Sequence, residues 1–189
     1  MTITTDLRPL SVQDYHRMVE TGILAADERV ELIEGQLYTI AAKGTAHSAA
    51  VTRIDRVLSR LLANQVLLRF QDPVQLNDFS EPEPDVAIVQ PDPLDYETYH
   101  PKPENIFWLI EVADSTLQRD RDLKAPAYAR SGIQEYWLLD VQERCLYVFR
   151  EPNQAGYDSE QKLLEQGQIA PLAFPDCTIQ VGEFLRSQP

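Results

Sequence analysis

The chain has 189 residues, 43% of them hydrophobic, with 30 acidic and 17 basic side chains and a formal charge of -13. This length suits one domain with a real core. The acidic balance excludes a broad basic platform for nucleic acid, but it leaves room for a small site where a metal ion offsets local charge.

Cys145 and Cys177 are too few for a cysteine metal cluster or a disulfide framework. The opening MTITTDLRPLS has no apolar stretch of signal-peptide length. No span reaches the roughly 18 apolar residues of a membrane helix. A cytoplasmic, single-domain protein without membrane attachment is expected over 1–189, with its core at about 25–150.

In chain order, Ser11 caps a short first helix, with Asp14 three residues on and Gly22 at its end. RVELIEGQLYTI reads as two short strands turning at Glu34-Gly35. Residues 45–63 carry a helical stripe through His47, Val51, Ile54, Leu58 and Leu61. Short strands are predicted at 67–70 and 74–76, interrupted by Pro73, then at 85–89 and 107–112. The proline-rich stretch between the last two is a loop of the kind that rims a site. A helix is predicted over 120–131, stopping at Gly132, and a hairpin over 135–140 and 145–150. The tail suggests strands near 163–164 and 178–181 and a final helical turn. The fold class is α+β, a mixed sheet with flanking helices. No glycine-rich or phosphate loop marks a nucleotide-binding fold.

Glu111 interrupts the apolar run Phe107 to Val112, where a carboxylate is costly unless it is paired. Alternation places it on one face with Phe107 and Leu109. Asp85, directly after Pro84, opens another short strand, so the two acids can meet at neighbouring strand ends. Two close carboxylates repel, and a hard cation such as magnesium or manganese would relieve them. Lys124 lies on the following helix with Tyr128 one turn further on the same face. It would orient water or stabilise phosphate charge. The alternative is a solvated helix start in which Asp120 and Lys124 form a surface pair. His47 is a packing residue or a site residue. Glu34 is a turn residue or a third carboxylate, ranked above Glu31 because Glu31 fits an ordinary polar strand position.

The blocks RVELIEGQLY, GTAHSAAVTRIDRVLSRLL, EPDVAIV and FWLIEVADSTLQRDRDLKAPAYARSGIQEYWLLD, with LYVFR, cover most of 30–150. In these the chain resembles the Uma2 family, also called DUF820, of restriction-endonuclease-like proteins. The resemblance implies a PD-(D/E)XK nuclease-like core with a divalent-metal site. Asp85 takes the role of the motif aspartate and Glu111 that of the second acid, with the Val112 carbonyl as a further ligand. The usual lysine position is Ala113, and Lys124 supplies the lysine instead. Glu34 matches the early acidic residue and His47 the histidine opening the long helix. His47 and Tyr128 would support the ligands or touch substrate.

The function expected is a magnesium- or manganese-dependent endonuclease, acting on DNA before RNA, with a homodimer possible. Two alternatives stay open. One is a non-catalytic regulatory or interaction module that keeps the fold, and the other is a hydrolase of another phosphorylated substrate. Arg53, Arg56 and Arg60 form only a thin basic stripe, with Arg119 and Arg121 near the site.

Overall fold

The structure is a computed structural model that describes residues 7–25 and 27–187. The first six residues, part of the stretch in which no signal segment is read, lie outside this range. Helix α1 (Val12–Glu20) starts at Ser11, whose side chain and that of Asp14 form a reciprocal capping box. Strands β1 (Val30–Ile33) and β2 (Gln36–Thr39) form a separate two-stranded hairpin. Helix α2 (Thr45–Leu62) follows.

The main sheet has six strands in the order β3 (Leu67–Arg69), β4 (Val86–Val89), β5 (Ile106–Ala113), β6 (Glu135–Asp140), β7 (Cys145–Pro152) and β8 (Tyr157–Leu164). All neighbours are antiparallel except β5 and β6. A parallel pair needs a crossover. Here it is a continuous helical stretch: α3 (Leu117–Arg119), a π-helical turn (Asp120–Lys124) and α4 (Ala125–Arg130). The small strands β9 (Gln168–Ile169) and β10 (Ile179–Gln180) pair with each other near the end.

Two apolar layers sandwich the sheet. On one face Ile54 and Leu58 of α2 pack with Trp108, Ile110 and Trp137, and Ile179 and Phe184 close the layer. On the other, Ala125 and Tyr128 of the crossover pack with Leu109, Ala113 and Tyr136. The buried set runs from Val12 to Leu185.

Three local expectations differ from the structure. Phe107 does not share a face with Leu109. A register shift where β4 meets the start of β5 turns Phe107 toward the Trp108 layer, against Phe174, and Ile106 takes its place beside Leu109. Residues 74–76 form a loop closed back on 80–82, with Val74 N–H donating to Pro82 O and Leu76 N–H to Ser80 O. The crossover helix begins at Leu117. No helix among the described residues is long and apolar enough to cross a membrane.

Glu135 is a structural counter-example to a site acid. It is fully buried and accepts hydrogen bonds from Arg150, Trp137 Nε1 and the Leu172 N–H. Glu135→Ala leaves those donors unpaired and is expected to cost about 3–5 kcal/mol. Urea unfolding checks this, and an unchanged midpoint would contradict it.

Candidate active site

The start of β4, the C-terminal end of β5 and the crossover helix meet at one cleft. Pro84 directs the chain into β4, and Asp85 stands just before the strand. Asp85 Oδ2 accepts from the Val112 N–H and from His47 Nε2, both at 2.9 Å. The Asp85 N–H reaches Glu111 Oε2 at 3.3 Å. Glu111 Oε1 accepts from Lys124 Nζ at 2.8 Å and from the Tyr128 hydroxyl at 2.7 Å. Lys124 and Tyr128 are four residues apart on one helix face, which brings both to the same oxygen. The π-helical turn ends at Lys124; such turns widen a helix locally and recur at functional sites.

Asp85, Glu111, Val112, Lys124, Tyr128 and His47 are thus brought together. Glu34 is not. It sits at the tip of the β1–β2 hairpin, exposed, with φ 50°, and its carboxylate pairs with Arg130 Nε at 2.6 Å. Two central residues with positive φ, Glu34 and Gly35, are what a tight two-residue hairpin turn demands, and that geometry holds the tip outside the cleft.

The carboxylate that the hairpin sends into the cleft is Glu31. It is 2% exposed, lies 3.1 Å from Lys124 Nζ and 2.6 Å from Arg119 Nη2, and accepts from the Glu83 N–H. A signal for it was present. Val30, Leu32 and Ile33 are apolar on both strand faces, so Glu31 interrupts its strand as Glu111 interrupts β5. Arg119 also donates to Thr39 O, tying the hairpin to the crossover helix. Arg121 points elsewhere, pairing with Glu160 at 2.6 Å. Asp120 is no surface partner: it is buried and accepts from the Thr116 hydroxyl.

The electrostatics follow from three buried acids around one buried lysine. Burial opposes the charge of Lys124, but Glu111, Glu31 and Asp120 outweigh it and raise its pKa, so it stays protonated. Burial pushes the Glu111 carboxyl up, against the pull of Lys124 and with the repulsion of Asp85 and Asp120. Burial likewise raises Asp120 to about 6. Asp85 goes the other way. Burial works against its charge, but His47, the Val112 N–H and Lys124 hold its carboxyl below the ordinary range.

The model of a family described as "Putative restriction endonuclease" matches residues 12–182. The chain belongs to the Uma2 family. A search of curated proteins finds no match. Among solved structures, a putative nuclease of DUF820 from Anabaena variabilis superposes on this Uma2 chain with a TM-score of 0.70 at 14% identity, covering 93% of this chain and 97% of that one. The likeness establishes the fold, a restriction-endonuclease-like α+β core. The type IIG restriction endonuclease BpuSI matches at a TM-score of 0.42 and 18% identity, over 73% of this chain and 14% of that one, too loosely to carry an argument.

Nucleases of this fold usually use a divalent ion, and the donor set of the Uma2 cleft can be tested for one. No group of three or more His, Cys, Asp or Glu side chains among the described residues is arranged to hold a metal. Each of the two acids nevertheless keeps a loosely held oxygen. Asp85 Oδ1 has only a contact with Gln71 Nε2 at 3.4 Å, and Glu111 Oε2 only the one at 3.3 Å. In an extended strand the N–H and C=O of a residue point to the same edge, so the Val112 carbonyl faces the Asp85 side. Magnesium is commonly held by one or two carboxylates, with water and phosphate completing its shell. The cleft contains about 70 Å³ of open space, room for such an ion and a few waters. The residues fit the ion.

Proposed function

We propose that the protein is a divalent-metal-dependent hydrolase of phosphodiester bonds in nucleic acid, with DNA favoured by the family's description. The observation that carries this reading is Lys124, a buried, protonated lysine delivered from the crossover helix to within 2.8 Å of Glu111, beside Asp85.

Asp85, Glu111 and the Val112 carbonyl would hold magnesium or manganese, hard ions matched by oxygen ligands. Such an ion supplies Lewis-acid polarisation of a phosphoryl oxygen and makes nearby water more acidic. Lys124, being protonated, serves as a donor to developing phosphate charge or to the attacking water, and not as a base. Glu31 takes the position that the sequence assigned to Glu34. Its carboxylate keeps Lys124 charged and in place. The Tyr128 hydroxyl orients Glu111, and His47 Nε2–H orients Asp85.

Calorimetric titration of magnesium and manganese into wild type and Glu111→Ala tests the reading. Saturable binding in wild type, absent from a folded variant, is expected. If wild type binds neither ion even with nucleic acid present, the chain is a non-catalytic module that keeps the nuclease fold.

A further inference from the structure

A second groove lies beside the cleft. Gly44 and Asp114 line the cleft, while Thr45, Ala46 and Gln142 line the groove, and Gln142 Nε2 donates to Asp114 Oδ1 where the two meet. The groove continues past Arg53 of α2, with Arg144 and Arg186 on its other wall.

The charges along it are unusual for so acidic a chain. Ten of the 17 Lys and Arg side chains are ion-paired with carboxylates among the described residues. Lys43, Arg53, Arg56 and Arg186 are among those that are not. Lys43 stands at the mouth of the cleft. Ala46, Ala49, Arg53, Arg56 and Arg60 then recur at intervals of three and four, one stripe of the helix. The two alanines keep the stripe low beside the cleft, and the arginines follow where a chain leaving the cleft would pass. Two of the nearby acids are neutralised, Glu183 by Arg60 and Glu165 by Arg144, while Asp55 and Asp114 are hydrogen-bonded only to Ser59 and Gln142 among the described residues and keep their charge. From Gly44 to Arg56 the helix rises roughly 18 Å, a run of several nucleotides at about 3.4 Å each.

We propose that this groove is the track for the nucleic-acid backbone leading into the cleft, its phosphates neutralised by Arg53, Arg56 and Arg186. This deepens the phosphodiesterase reading and rests on it for the position of the scissile bond. It also explains how a chain of charge -13 engages a polyanion. Four of the cations without an ion pair, Lys43, Arg53, Arg56 and Arg186, follow the cleft and groove, while Arg17, Lys102 and Lys162 lie away from them.

The test compares wild type with the triple variant Arg53→Ala/Arg56→Ala/Arg186→Ala, with Arg17→Ala/Lys102→Ala as a control removing cations outside the groove. Binding of labelled DNA and of RNA of the same sequence is measured by anisotropy in EDTA across a salt series. Hydrolysis of bis(p-nitrophenyl) phosphate is measured with magnesium or manganese. The triple variant is expected to lose affinity by about tenfold or more, with its salt slope reduced by about 2–3. The control keeps wild-type binding, and all three hydrolyse the small ester alike. Wild-type binding by the triple variant, or no nucleic-acid binding by wild type, overturns the track. If nothing hydrolyses any ester while the triple variant still loses binding, the phosphodiesterase reading falls and the track stands.

Discussion

Lys124→Ala is expected to lose cleavage by about 10²–10³-fold, the usual effect of removing one electrostatic donor from a reacting centre, while retaining or tightening its grip on magnesium. The two outcomes have one cause. Lys124 is the cation between Glu31 and Glu111, so removing it deletes the donor and raises the negative charge left for an ion. The fold pays as well. Glu111, 3% exposed, loses its counter-charge, and Glu31, 2% exposed, is left with Arg119 alone, which costs about 3–5 kcal/mol and lowers Tm by roughly 10 °C in a chain of this size. Adding magnesium should recover part of that loss. Adding Glu111→Gln to Lys124→Ala should recover part of it without metal, because the charge stranded at position 111 is gone. Parallel melts, calorimetry and cleavage assays measure all of this. A variant that cleaves normally, or that loses metal affinity alone, would sink the assigned role.

The second large effect is a pH dependence that runs against the usual acid denaturation. Asp120 is raised in the folded protein from 3.8 to about 6. A raised carboxyl favours folding below its unfolded pKa, and that contribution is lost as pH climbs through the folded value. Asp120→Asn is therefore expected to show no charge-linked difference from wild type below pH 3.8 and to be more stable by about 3 kcal/mol near pH 7, from the rise of this carboxyl from 3.8 to about 6 on folding. Glu111 acts in the same direction. Asp85, with its lowered pKa, has the opposite sign and loses its contribution as the medium becomes more acid than its ordinary range, which sets the lower limit of a useful comparison. Urea midpoints for both proteins across this window give the answer. A gap that is constant with pH would show that folding leaves the Asp120 carboxyl at its ordinary value. Magnesium should narrow the gap near pH 7, because an ion beside these acids relieves the repulsion that the substitution removes.

Much of the cleft was legible because its signals are local. An acid inside an apolar strand, a proline before Asp85, and a lysine and tyrosine four residues apart on one helix are visible without knowing what lies across from them. Glu31 carries the same kind of signal as Glu111 but also fits a polar strand position, and Glu34 looks the better candidate because, by pattern alone, a carboxylate next to glycine is free to point anywhere. The hairpin does not allow that freedom. Its turn holds Glu34 at the tip beside Arg130, and docking of β1 against the crossover helix turns Glu31 inward.

What the sequence determined by itself was the α+β class, the long helix, the cores of the main strands and the buried acids at Asp85 and Glu111, since each rests on periodicity or on the cost of burying a charge. Only the tertiary structure decided the parallel pairing of β5 with β6, the shift that turns Phe107 away from Leu109, and the π-helical turn ending at Lys124. Those depend on which surfaces meet. An isolated segment carries its own pattern but not the position of its partner, and the site joins side chains within 3.5 Å of one another, such as Glu31 and Lys124, that the chain keeps 93 residues apart.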